Sequence, residues 1–159
     1  MEIKKLNEEN GILQLLIKDM DLAYMNAIRR TAMEEIPILS METIRIYENN
    51  GVIFDEFLAH RLGMLPIVSD MKEYAKGDTA KFMLDKKGPC TVYASDLEGP
   101  ADIIHGDIPI TILNEEHKLE LVATAILGIG RTHAKHIPGL CYYRHILEVK
   151  SSPQIDKII

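Results

Sequence analysis

In the stretch LELVATAILGIG, Leu119, Leu121, Ala123, Ala125 and Leu127 fall on every second residue, the period of a strand with one apolar and one solvated face. Such a strand is stable only between neighbours that satisfy its backbone and beneath a layer that covers its apolar side. The rest of the chain offers neighbours. PILSMETIRIYE reads as a strand that begins at Pro37 and is stopped by Asn49, Asn50 and Gly51. Beyond Pro66, KFMLDKKGPCTVYASDLEG and GDIPITIL are short strand-like pieces punctuated by turn residues. We therefore expect a strand-rich unit from about 49 to 137. At the N-terminus EIKKL, NEENG and ILQLLIK predict a hairpin whose second strand, apolar on both faces, lies inside a sheet or under a helix. The last segment, LCYYRHILEVKSSPQIDKII, is expected to begin as a strand and to end in a helical turn after Pro153. No internal repeat or low-complexity tract is visible.

Two segments carry the helical period instead. DLAYMNAIRRTAMEEI, capped by Asp19 or Asp21 and running to about Glu35, places Leu22, Met25, Ile28, Ala32, Met33 and Ile36 on one arc with Arg29 at its centre. Beside it runs a strip of Ala23, Asn26, Ala27 and Arg30, small enough to let another backbone approach. FDEFLAHRLGMLPI is a second, shorter helix closed by Gly63 and Pro66, with Phe54, Phe57, Leu58, Leu62 and Leu65 on one face and Arg61 in its middle. A guanidinium where leucine would pack better needs a carboxylate or a carbonyl to meet it. Either each arginine lays its stem along the core and holds a partner in its own chain, or these faces are interfaces. The second reading is the sharper one, with Arg29 the position expected to find an internal partner.

Composition removes several function classes. A net charge of −6, with no basic run interleaved with aromatics, opposes sequence-independent binding of nucleic acid by this chain alone. Cys90 and Cys141 lie far apart, and MEIKKLNEEN has no apolar stretch of the secretory kind, which fits a reducing cytoplasm. The longest apolar runs are too short to span a bilayer. His133, His136, Cys141 and His145 in THAKHIPGLCYYRH are the densest set of metal-ligand types, and a metal-dependent enzyme built on them is the competing function. A structural zinc site more often shows tight cysteine pairs, so packed or hydrogen-bonded histidines are the favoured reading. GIGR lacks the third glycine of a dinucleotide fingerprint, no phosphate loop occurs, and no serine sits in a G-x-S-x-G elbow. Glu34/Glu35 and Glu115/Glu116 adjoin turns or helix ends, where a solvated surface accounts for them.

At NAIRRTAMEEIPILSMETIRIYENN and DEFLAHRLGMLPI the sequence resembles the alpha-like assembly subunit of cellular RNA polymerases. The resemblance continues through KKGPCTVYASDL, similar to that family's K-G-P-x-x-V-x-A-x-D/E strand, and through HAKHIP, similar to its H-A-K-x-x-P element. These pieces stand in the family's order over most of the chain. The H-A-K-x-x-P and L-A-H-R-L-G-x-x-P forms are those of the archaeal subunit called D and the third-largest subunit of eukaryotic polymerase II, rather than of the homodimeric bacterial alpha subunit.

The resemblance implies an α+β fold with a dimerisation domain from residues 1–48 and 138–159 and an inserted strand-rich domain at 49–137. It also implies a non-catalytic role in the cytoplasm. Family members pair with the small alpha-like subunit L, then dock the second-largest catalytic subunit and the small subunits N and P. Asn26, Arg29 and Arg30 on the first helix and His60 and Arg61 on the second are the interface residues it suggests. No cofactor is implied for this chain. Many D subunits hold iron-sulfur clusters in a cysteine-rich insertion, but two isolated cysteines cannot supply four thiolates. Family members also continue for roughly another hundred residues. Either VKSSPQIDKII is a shortened return segment, or the chain is a fragment ending where that insertion starts, which is the favoured expectation.

Overall fold

A computed structural model describes residues 1–70, 72–75 and 77–146. Its content is mixed α+β, with mostly antiparallel sheet. The chain divides into two compact units: Met1–Arg29 with the residues from Cys141 on, and Arg30–Leu140. No helix among the described residues is long and apolar enough to cross a membrane.

The first unit opens with the expected hairpin, β1 (Glu2–Glu9) against β2 (Ile12–Lys18), antiparallel from Glu2↔Lys18 to Glu9↔Ile12. Asn10 and Gly11 form its turn at φ of 52° and 73°, the left-handed pair that matches the twist of a two-residue hairpin. The Asp21 carboxylate then accepts from the Ala23 N–H at 3.0 Å, capping the start of α1 (Leu22–Glu34). One expectation is overturned here. Among the described residues β2 is not found inside a wider sheet or under a helix: the sheet has two strands there, and Ile12 and Leu13 are 61% and 56% exposed. No described residue of this unit is buried. Residues 141–146 form no strand, contrary to the reading of LCYYRHILEVKSSPQIDKII. The later part of that segment, including Pro153 and VKSSPQIDKII, lies outside the described residues.

The second unit is built on a three-stranded sheet of β3 (Ile38–Asn49), β4 (Thr79–Lys87) and β7 (Lys118–Gly128), with β7 in the centre. The alternation in β7 is realised as expected: Leu119, Leu121, Ala123 and Ala125 are buried and the residues between them are not. Ala123 pairs with Ile44 on one side and with Phe82 on the other, so a small side chain lies between two large ones, the alternation of sizes that lets a layer interdigitate. Gly99 passes over Phe82 so closely that a Cβ there would stand 2.2 Å from the ring.

β3 is too long to keep one alternation. Register shifts between Met41 and Thr43 and between Ile46 and Glu48 reset its parity. Leu39, Met41, Ile44 and Ile46 thereby all face Leu127, Ala125, Ala123 and Leu121 on β7. The covering layer comes from α2 (Asp55–Gly63), lying against β3 and against β6 (Pro109–Leu113), which pairs with β5 (Cys90–Tyr93). Leu58, Leu62, Val92, Ile110 and Leu113 join the sheet residues in one buried cluster.

The opposite face of the sheet carries a cross-strand row of carboxylates, Glu48 beside Glu120 beside Asp85. Like charges directly opposite one another are unfavourable. Lys118 offsets them, with its Nζ 3.2 Å from Glu48, 2.6 Å from Glu120 and 3.9 Å from Asp85. These hydrogen bonds and charges hold the ammonium above its ordinary pKa, so its stabilising contribution is complete at neutral pH and is lost only in strong alkali. Lys118→Met should therefore lower the thermal midpoint at pH 7. The deficit should shrink in high salt. A deficit unchanged by salt would mean that the lysine stem, rather than its charge, matters.

Candidate protein interface

The residues singled out as interface candidates fall in both units. On α1 the Arg29 Nε and Nη2 donate to Asn26 Oδ1 at 3.1 and 3.0 Å, and Arg29 is half-buried. Arg30 is exposed and reaches one turn along the helix to Glu34, with contacts of 3.3 and 3.2 Å. Both guanidiniums are thus held in place from within their own helix. Between them Ile28 of the apolar arc remains 41% exposed, and no residue of α1 is buried.

α2 departs from its expected face. Leu58 and Leu62, one turn apart, are buried against the sheet, but Phe54 and Phe57 are 71% and 66% exposed. A nine-residue helix laid flat on a sheet buries one i,i+4 stripe, so Phe57, one residue earlier in the cycle, is left outside, and Phe54 is the extended residue that precedes the helix, at φ −65° and ψ 151°. Arg61 belongs with them: it is exposed rather than set into a buried apolar face, and its Nη2 donates to the Pro109 carbonyl at the start of β6. The carbonyl that this arginine needs therefore comes from its own chain. Val52, Ile53, Phe54, Phe57, His60 and Arg61 line a shallow open groove along the outer side of α2. Four apolar side chains line its wall, and a cationic fork with unused donors stands at one end.

The histidine-rich segment is organised differently from a metal site. His136 is 3% exposed, and its Nδ1 lies 2.7 Å from the Ser40 hydroxyl of β3. His133 is exposed, its Nδ1 accepting from the Lys135 N–H at 3.1 Å as it caps the 3-10 turn Ala134–His136. Cys141 and His145 belong to the other unit. Among the described residues no three His, Cys, Asp or Glu side chains converge as metal ligands. Prolonged dialysis against a chelator should leave the thermal midpoint unchanged, whereas a large loss of stability with release of stoichiometric zinc would restore the metal reading.

Sequence reasoning missed what the HAKHIP element does. Lys135 Nζ donates to the Met41 carbonyl at 3.1 Å and forms an ion pair with Glu42, while the His136 ring lies on Gly128, where a Cβ would stand 2.3 Å from Nε2. The element is a strap across the start of β3. The signal available in the sequence was the grouping of two histidines, a lysine and a proline within six residues, which spacing alone assigns to no partner.

The comparisons with known proteins agree with this architecture. Residues 44–149 match the model of the RNA polymerase Rpb3/RpoA insert domain. DNA-directed RNA polymerase subunit Rpo3 of Natronomonas pharaonis is 36% identical over 94% of this chain and 62% of its own length. The Rpo3 of Methanothermobacter thermautotrophicus is 34% identical over the whole chain and 67% of its own length, and that of Thermococcus kodakarensis is 30% identical over 98% and 63%. The chain thus spans about three-fifths to two-thirds of the length of these relatives. With a family match over more than half of its residues, this chain belongs to the RNA polymerase Rpb3/RpoA insert domain family.

Proposed function

We propose that the chain is a non-catalytic assembly subunit of an archaeal DNA-dependent RNA polymerase, pairing with the small alpha-like subunit L and docking the second-largest subunit and the small subunits N and P. The observation that carries this reading is the first unit. Its hairpin and the start of α1 present aliphatic side chains without a single buried residue among those described. Exposed apolar surface on that scale marks a protein contact. The dimerisation domain is assigned to 1–48 and 138–159, and the inserted domain to 49–137. No cofactor is assigned to this chain, an iron-sulfur cluster being reserved for a longer form with the cysteine-rich domain, and the compartment is the cytoplasm, in keeping with two free cysteines.

The two faces then divide the work. The α1 face takes the small subunit, and the groove beside α2 takes a larger one, with Phe54 and Phe57 as anchors and His60 and Arg61 at its rim. The test is capture of the second-largest subunit by the heterodimer. Phe57→Asp and Arg61→Glu should each reduce capture at least tenfold while leaving the pairing with L intact. Arg61→Glu should also lower the chain's own stability by about 1 kcal/mol through loss of the exposed bond to Pro109. Normal capture by both variants removes the groove from the interface.

A further inference from the structure

The strap formed by Ile129–Ile137 joins two elements that the proposed docking faces do not need joined. At one end the Arg131 N–H donates to the Glu34 carbonyl at 3.1 Å and its side chain pairs with Glu35, fastening the strap to the last turn of α1. At the other end Lys135 and His136 fasten it to Ser40, Met41 and Glu42 of β3. Lys135 sits at the edge of this contact, but His136 is inside it, against the backbone of Gly128.

We propose that the strap is a proton-gated clasp, closed on β3 while His136 is uncharged and released from Ser40, Met41 and Glu42 when that ring takes up a proton. The neutral ring fits its place: one nitrogen meets the Ser40 hydroxyl, and the ring lies against the backbone of Gly128 on β7. A charged ring would not. The titratable groups that face it are Lys135 and His133 from its own turn and Glu42 from β3, and Glu42 is already engaged by Lys135. Burial first, then the neighbouring Lys135 ammonium, holds the imidazole below its ordinary pKa; Glu42 and the backbone of Ile38 oppose this more weakly.

The sign follows. An opened strap exposes His136 to water, where it titrates near about 6.5, so the open form binds more protons than the closed one below that value. Closure is complete above about pH 6.5, weakens as pH falls toward the lower value of the closed state, and then levels off. Glu42 gives a separate, more acidic step, because its carboxyl is held below the usual range by Lys135 and keeps its charge until lower pH.

Amide hydrogen exchange on the whole chain, corrected for intrinsic rates and run beside an NMR titration of the His136 ring, tests this. Protection of residues 131–137 should fall about tenfold for each unit by which the closed-state value lies below the ordinary one, over the window below about pH 6.5 in which the ring itself is seen to take up its proton. Residues 119–125 of β7 should keep their protection there. His136→Gln, which keeps a neutral hydrogen-bonding group beside Ser40, should abolish the response in that window and leave the more acidic Glu42 step. Strap protection independent of pH, a His136 ring titrating at the ordinary value, or a response within that same window retained in His136→Gln would each overturn the clasp. If His136→Gln does not fold, the wild-type titration and exchange decide between the same outcomes.

Discussion

Ile28→Asp is expected to weaken the pairing of this chain with the small alpha-like subunit by about a thousandfold, as measured by titration calorimetry or sedimentation. Ile28 stands on the exposed arc of α1, flanked by the Asn26–Arg29 and Arg30–Glu34 pairs that fix the polar side of the helix. A carboxylate carried into a desolvated aliphatic contact with no partner costs on the order of 3–5 kcal/mol, and each 1.4 kcal/mol is about tenfold in affinity. Ile28→Ala removes apolar area without adding charge and should lose far less, roughly 1–2 kcal/mol. The unfolding of the second unit should move little in either variant, because α1 contributes no buried residue. Unchanged affinity in Ile28→Asp would place the contact elsewhere.

Phe82→Ala is expected to have the largest effect on the fold. The ring is fully buried between Ala123 of the central strand and Gly99, so neither neighbour has a side chain that can move into the space it leaves. Truncation of a buried phenylalanine costs about 3–5 kcal/mol in such a site, and a domain of this size should lose on the order of 10 °C in thermal midpoint. Phe57→Ala is the contrasting variant. Its ring is 66% exposed, so stability should change by no more than about 0.5 kcal/mol, although the same position anchors the proposed groove. A stable Phe82→Ala variant would mean that the loop at Gly99 collapses onto the sheet.

The elements themselves were legible wherever one period ran uninterrupted. β7 is the clearest instance, since its small and large residues alternate cleanly and the register puts Ala123 opposite Phe82. The Asn10–Gly11 turn and the Asp21 cap were legible for the same reason: local chemistry specifies them without help from the tertiary structure. What failed depended on neighbours. ILQLLIK reads as a buried strand, but hydrophobicity reports a demand for cover and not who supplies it. The helix at 55–63 carried apolar residues around more than half its circumference, and only packing on the sheet decides that Leu58 and Leu62 go in and Phe57 stays out. The two bulges in β3 were invisible, because a single extra residue changes parity without changing composition. Arg61 illustrates the limit most sharply. Sequence reasoning identified its need for a carbonyl or carboxylate, yet Pro109 lies 48 residues away and nothing in the local pattern points to it.

The central claim, that the first unit is made to be covered by another chain, is tested most directly by sedimentation velocity of the purified chain alone and mixed with the small alpha-like subunit. The account predicts that the chain alone self-associates without a defined stoichiometry, and that the mixture gives a single one-to-one species whose affinity is lost in Ile28→Asp. A monodisperse, stable monomer that sediments unchanged in the presence of the small subunit would contradict it.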